Sequence, residues 1–306
     1  MKYLILLSFI FTNYITFSQC ACMGGAAIGG ITAIGGTANV GVLKENYLRI
    51  NLFNKYTYGD KFFGEKNLET GLVKYFQNYF TEFRISYGIS NKIMLEANIN
   101  YFPEKKQSYC ERNIDTILKD YGFSSYGFGI NYNLYNSILK EIEYTLGLQV
   151  DIPFEINNDK LPQHIASSTG AVSLGLKSFF HKGFNKSDLH FFLINHLNYF
   201  FENNQHYQYG VILTSSFFIT KLIIENLSAF FEIRNELRSK DYKENKTLNN
   251  TGSSIFYISP QLNYTLYGLN ISVFYDYPFY QLFNGSQLGI NYSLGINLTY
   301  QTKIKY

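Results

Sequence analysis

The sequence predicts an all-β protein, a transmembrane antiparallel up-and-down β-barrel of about twelve strands. Three observations predict this fold: apolar and polar residues alternate with period two, charged residues fall on one face of the alternating segments, and short and long connections alternate along the chain. The composition agrees, since 18% of the 306 residues are aromatic and only 16% are charged, unlike an ordinary soluble domain. The formal net charge is +3 and the cations are scattered, so we expect no nucleic-acid partner.

The start of the chain has the layout of a secretory signal. Lys2 precedes an apolar stretch at 3–11, and polar and small residues lead to Gln19. We expect cleavage before Cys20 and export; a lipoprotein signal also places a cysteine there, but it requires a small residue before that cysteine. Beyond residue 20 no run of eighteen apolar residues occurs, so the sequence predicts no transmembrane helix. The predicted organisation is a signal peptide (1–19), a glycine-rich plug or periplasmic segment (20–43) and an outer-membrane barrel (44–306).

The alternation defines the individual strands. In 141–152, isoleucine, leucine and valine occupy one face, while Glu143, Thr145 and Asp151 occupy the other. By the same criterion we predict strands at 47–58, 78–88, 92–102, 123–134, 141–152, 169–180, 188–200, 206–219, 223–237, 253–265, 269–278 and 287–300.

The charged residues indicate which face is the inner one. A charge that faces lipid at mid-membrane costs about 2–4 kcal/mol, whereas a charge in a watery lumen costs little. On the apolar faces we find only Glu225, close to a predicted turn. The lumen-lining candidates are Arg49, Glu82, Arg84, Glu96, Glu143, Asp151, Lys177, His190, His196, Glu232, Arg234 and Asp276.

The connections and the C-terminus fit the same fold. Short turns are predicted at 89–91, 135–140, 181–187, Lys221 with its neighbours, and 266–268; longer loops are predicted at 59–77, 103–122, 153–168 and 238–252. An even strand count returns both termini to the periplasmic side. The last residues end on Tyr306, a terminal aromatic of the kind that barrel-assembly machinery reads. The abundant Tyr and Phe, 28 of each, are expected to form the two interfacial girdles.

Three sets of loop motifs follow the strand ends: 150–153 with 161–164 and 168–170, 250–252 with 257–260, and 280–281 with 284–289. In these motifs the chain resembles the phenol-degradation meta-pathway (MetA-pathway) outer-membrane transporters, a family distantly similar to long-chain fatty-acid channels. The resemblance implies passage of hydrophobic small molecules, and it supplies no catalytic residues.

The mature N-terminus carries candidate soft-metal ligands. Cys20, Cys22 and Met23 would suit copper(I), and the glycines around them would let the backbone wrap a metal. We favour the alternative, a flexible plug or tail whose cysteines have no metal role, and we expect no cofactor. Cys110 could pair with Cys22 only if the glycine-rich segment threads the lumen, because bridged Cα atoms lie within about 7 Å.

Enzymatic function finds little support. A lipid-hydrolysing barrel needs a serine activated by an adjacent histidine, and no His-x-Ser pair stands at a strand end. No phosphate-binding loop follows the glycines either. We therefore expect a non-enzymatic, passive channel for small hydrophobic or aromatic solutes in the outer membrane of a double-membraned bacterium, surrounded by outer-membrane lipid. The alternative is a structural or surface-binding barrel that uses its long loops.

Overall fold

The computed structural model describes residues 41–63, 73–111, 114–154, 161, 163–184 and 187–304. Twelve antiparallel strands close into a barrel. They are β1 (Tyr47–Gly59), β2 (Val73–Gly88), β3 (Ile93–Glu111), β4 (Ile114–Ser137), β5 (Ile142–Pro153), β6 (Ser173–Phe184), β7 (Leu189–Phe200), β8 (Ile212–Ile224), β9 (Leu227–Arg238), β10 (Ser253–Leu266), β11 (Leu269–Phe283) and β12 (Tyr292–Lys303). Each strand pairs with its sequence neighbours and β1 closes on β12, so the predicted fold class is confirmed.

The alternation seen in the sequence separates the outer and inner faces of the wall. On β5, Leu146 and Leu148 are 41% and 50% exposed on the outside, whereas Thr145 and Gln149 are buried inside. The same alternation recurs on β12, where Leu294 and Ile296 face outward and Asn297 is buried. The outer surface is therefore apolar, as contact with lipid requires. No helix in the described ranges is long and apolar enough to cross a membrane.

The two ends of the barrel differ. The short-turn end carries the connections at 89–92, 138–141, 225–226 and 267–268 and the turn residues 187–188, and both Tyr47 and Lys303 lie there. The connection between β10 and β11 is a two-residue turn in which Tyr267 and Gly268 both have positive φ, as the right-handed twist of a hairpin favours. Lys221 lies within β8 and not in the predicted turn, because the apolar run at 222–224 continues the strand as far as the turn that holds Glu225.

The predicted loop at 103–122 is wrong. Strands β3 and β4 continue through most of it as an extension, with Lys105 opposite Asp120 and Ser108 opposite Ile117, and β2 pairs with β3 there as well. The register between the two strands shifts between Phe102 and Lys105, next to Pro103. Such a bulge breaks the alternation of faces, which is why the period-two pattern is interrupted although pairing goes on.

The other end, the long-loop end, is filled by its own loops. Segments 169–172, 206–211 and 287–291, predicted as the starts of strands, belong to these loops. Most of their apolar residues are buried inside the barrel: Leu288 and Ile290 are 0% and 3% exposed and pack with Phe76 and Tyr257. Apolar patterning alone does not separate a lipid-facing strand from a loop that folds inward.

The chain enters β1 from inside the short-turn end. Val42 and Leu43 are buried against Met94, and the backbone N–H of Val42 donates to Glu143 Oε1 at 3.2 Å. Residues 41–46, the entry segment, therefore lead out of the lumen to the first strand. The predicted signal peptide, Tyr306 and all of the glycine-rich segment except 41–43 lie outside the described residues, and the predicted plug stays a prediction.

Candidate functional site

The barrel interior holds two networks of buried charges. The first lies on β2, β3 and β6, where Arg84 Nη2 is 3.0 Å from Glu82 Oε1 and Lys177 Nζ is 3.2 Å from Glu96 Oε2. Arg84 Nη1 also lies 3.9 Å from Glu96 Oε1, which links the two pairs. All four side chains project from strand positions that the sequence places on the polar face, so the alternation alone directs them inward.

The second network spans β1, β9 and β11. Asp276 Oδ2 accepts from Lys55 Nζ at 2.9 Å and from Arg234 Nη2 at 2.6 Å, and Arg234 Nη1 also donates to Glu232 Oε1 at 3.2 Å. Strand β12 lies between β1 and β11, and it places Gly295 directly opposite Lys55. Lys55 reaches past β12 to Asp276, and the Phe274 ring fills the space beside Gly295.

A cavity of about 80 Å³ lies inside the barrel near the long-loop end. Its apolar lining is made by the rings of Phe80, Phe102 and Phe200. Its polar lining includes Glu82, Asn100, Ser124, Ser125, Gln149, Asp151, Ser167, Thr169, Ser173 and Asn198. Rings on one side and carboxylates and amides on the other would hold a small solute that has an apolar body and a polar group.

The loop at 163–172 covers the cavity and is fastened to the β3–β4 extension. Lys105 Nζ donates to the carbonyl oxygen of Ala166 at 2.6 Å, and Asp120 Oδ2 accepts the backbone N–H of Ser167 at 2.5 Å. His164 is buried in the same loop; loss of water and the nearby Lys105 and Arg238 cations lower its pKa to about 3. His164 is therefore neutral at physiological pH.

A second contact between loops closes the long-loop end around Asp241. Its carboxylate accepts the backbone N–H of Gly210 at 2.7 Å and two hydrogen bonds from Arg238 Nη2 at 2.7 and 2.9 Å. The hydroxyl of Tyr207 donates to the same carboxylate. Burial, with the Asp241 charge as a second cause, raises the pKa of Tyr207 and Tyr209, so both phenols stay protonated. This end of the barrel is closed by a polar cluster centred on the Asp241 carboxylate.

The structure places every lumen-lining candidate on the inner face. Seven of the twelve belong to the two charge networks: Glu82, Arg84, Glu96, Lys177, Glu232, Arg234 and Asp276. The remaining five are separate from those pairs. Arg49 donates a hydrogen bond to Gln301, Glu143 accepts one from the entry segment, and Asp151 accepts one from Gln149. The His190 ring lies 3.0 Å from that of His181. His196 pairs with Lys177 on one neighbouring strand and with Thr214 on the other. That they line a solute path stays a prediction.

Phenylalanines inside the barrel are the feature that the sequence analysis missed. The buried rings on inner-face positions are Phe53, Phe76, Phe80, Phe102, Phe179, Phe192, Phe200, Phe218, Phe230 and Phe274. The girdle interpretation assigned aromatic residues to the outside. The signal was present, because Phe53 shares the inner face of β1 with Asn51 and Lys55.

The metal candidates stay untested. Cys20, Cys22 and Met23 lie outside the described residues, and so the pairing of Cys22 with Cys110 on β3 remains a prediction. Among the described residues, no group of three or more His, Cys, Asp or Glu side chains is arranged to hold a metal ion.

Comparison with solved structures shows the fold. The chain is similar to the crystal structure of the COG4313 outer membrane channel from Pseudomonas putida F1, with a TM-score of 0.67, 8% identity, and coverage of 85% of this chain and 97% of that chain. It is less similar to the NanC porin (TM-score 0.48, 12% identity, 82% and 98% coverage) and to a Pseudomonas aeruginosa FadL homologue (0.45, 7%, 94% and 98%). The first likeness shows an outer-membrane β-barrel fold, and the other two are too weak to add to it.

No protein-family model and no curated protein sequence matches the chain. The resemblance to the phenol-degradation meta-pathway transporters therefore stays a prediction.

Proposed function

We propose that the protein is an outer-membrane channel through which small solutes with apolar or aromatic bodies pass passively. The observation that carries the proposal is the set of phenylalanines inside the barrel. A lumen that served only water and ions would be lined by polar groups, as in porins. Here a ring cluster of Phe53, Phe80, Phe102 and Phe274 lies among the two charge networks.

The order of these features along the barrel supports a path. Phe80 and Phe102 line the cavity near the long-loop end and also belong to the ring cluster. A second cluster, which includes Phe179 and Phe218, lies nearer the short-turn end on β6 to β9. Apolar rings thus lie both beside the cavity and nearer the entry segment, and passive passage along them would need no energy source.

The proposal includes the location. The barrel would reach the outer membrane after export by the signal at 1–19, would be inserted by assembly machinery that reads Tyr306, and would contact outer-membrane lipid with its apolar wall. Its division into a plug at 20–43 and a barrel at 44–306 is part of the same proposal.

A second candidate function is supported by the β3–β4 extension and the closed long-loop end. A barrel that binds a partner with this extension would need no solute path. Permeability separates the two functions, because only a channel speeds solute entry into vesicles.

The test is swelling of proteoliposomes in nicotinamide, an aromatic solute, against swelling in arabinose, a non-aromatic solute of similar size. We expect faster swelling in nicotinamide and loss of that preference in Phe102→Ala. The matched control is Phe128→Ala, which removes a ring from the outer face, where Phe128 is 60% exposed. Equal swelling rates for both solutes would refute the aromatic preference, and no swelling with correctly folded protein would refute the channel.

A further inference from the structure

The cavity under loop 163–172 has an unbalanced set of charges. Its described lining contains two carboxylates, Glu82 and Asp151, and no lysine, arginine or histidine. Glu82 Oε1 is 3.0 Å from Arg84, while Asp151 accepts from the amides of Gln149 and, at 3.4 Å, Asn98. The Asp151 carboxylate thus accepts hydrogen bonds from neutral amides, and it forms part of the cavity lining.

The same cavity has acceptors that lack donors. Asn198 is 4% exposed, and its Oδ1 has no hydrogen-bond partner among the described residues; the same is true of Asn100 Oδ1. On the other side of its amide, Asn100 Nδ2 donates to Ser125 Oγ at 2.9 Å. A buried acceptor without a donor destabilises the site until a ligand supplies one.

The apolar side of the cavity can also receive a cation. The ammonium of Lys105 already lies 4.8 Å from the centroid of the Phe102 ring, on which the negative π-face attracts positive charge. Phe80 and Phe200 add two further rings to the lining. Carboxylates, free carbonyl oxygens and aromatic faces all favour a positive donor group.

We propose that this cavity binds a primary ammonium group attached to a small apolar body. The proposal rests on the proposed channel function and names its solute class. An ammonium has three N–H donors and no acceptor, which complements the two carboxylates and the two unpartnered amide oxygens of the lining. A carboxylate solute would meet two like charges, and an alcohol offers a single O–H donor.

The cavity volume sets the size of the ligand. An apolar protein cavity of about 150 Å³ holds benzene, which has six non-hydrogen atoms. By the same proportion, the volume of about 80 Å³ suits roughly three non-hydrogen atoms. Propylammonium is close to this size, and propionate and propanol are its anionic and neutral counterparts.

The experiment is calorimetric titration of the folded, detergent-solubilised full chain with propylammonium chloride, sodium propionate or propanol. We expect saturable binding of propylammonium, with propanol about tenfold weaker and propionate undetectable, since a hydrogen bond to a charged group is worth about that factor. Asp151→Asn should weaken the binding of propylammonium about tenfold, as expected for the loss of one charge-assisted hydrogen bond. The matched control, Asp60→Asn, removes an exposed carboxylate beyond the cavity and should change nothing.

A variant that should bind more tightly completes the test, because tighter binding cannot result from misfolding. Asn198→Asp adds a third carboxylate to the lining and should tighten propylammonium binding. Equal binding of the three solutes, or unchanged affinity in both Asp151→Asn and Asn198→Asp, would overturn the proposal. If nicotinamide still swells proteoliposomes in that case, the channel function stands and only the ammonium preference fails; if no solute passes, the channel function itself fails.

Discussion

Replacing Asp276 by asparagine tests the buried charge network of β1, β9 and β11. Asp276 is 0% exposed, and its Oδ2 lies 2.9 Å from Lys55 Nζ and 2.6 Å from Arg234 Nη2. The amide keeps the shape of the side chain but removes the charge. Arg234 retains Glu232 at 3.2 Å, whereas Lys55 loses the carboxylate with which it is paired.

The expected cost follows from burial. Breaking a buried ion pair by removing one partner destabilises a protein by about 3–5 kcal/mol, because the other charge stays uncompensated. Both cations here are largely shielded from water, with side-chain exposures of 6% for Lys55 and 11% for Arg234. Since Arg234 keeps a second carboxylate, we expect Asp276→Asn to cost about 3 kcal/mol, the lower end of that range.

The assay is urea unfolding of the purified barrel in lipid vesicles, followed by the mobility of unheated samples on gels. In the double variant, Lys55→Met removes the stranded cation as well and should recover at least about 1 kcal/mol. Asp188→Asn, in an exposed turn, is the control and should unfold like the wild type. A loss under about 0.5 kcal/mol for Asp276→Asn, the size of an ordinary surface substitution, would show that water screens the network and that the reasoning fails.

Three further changes test the wall and the long-loop end. Leu148→Arg places a charge in lipid and should lower the free energy of unfolding in vesicles by about 2–4 kcal/mol. Gln149→Arg, which points inward, should lower it little. Equal losses would mean that the inner and outer faces are misassigned. Burial lowers the pKa of His164 from 6.5 to about 3, so His164 binds a proton more readily when the loop is unpacked. The free energy that keeps 163–172 packed should therefore fall by on the order of 3 kcal/mol between pH 7 and pH 4. Limited proteolysis at the two pH values should show this loss, and His164→Gln should abolish it. Gly295→Val should destabilise the barrel by about 1–3 kcal/mol in urea titrations, since a Cβ there would lie 2.0 Å from the Phe274 ring; unchanged stability would show that the ring moves aside freely.

The strands could be predicted from local pattern because lipid contact imposes it residue by residue. Leu146 and Leu148 alternate with Thr145 and Gln149 whatever the rest of the chain does, and the structure keeps that order. The extension of β3 and β4 could not be predicted in this way. Outside the lipid no such constraint applies, and the bulge beside Pro103 shifts the register.

The site could be predicted only in part. Alternation identifies Lys55 and Asp276 as inward-facing, but their contact depends on the register of three strands. The inner phenylalanines were missed because composition cannot tell a girdle ring from a lumen ring. The folding of loop 163–172 over the cavity depends on contacts with Lys105 and Asp120, far away in sequence.

Single-channel recording of the full-length wild-type protein in planar lipid bilayers tests the central claim most directly, because it detects a continuous path through the barrel. With insertion verified by the mobility of unheated samples, we predict discrete current steps that small aromatic solutes interrupt in a concentration-dependent way. Bilayers that stay silent with correctly inserted protein would contradict the account, and would favour a barrel whose extension serves binding at the surface.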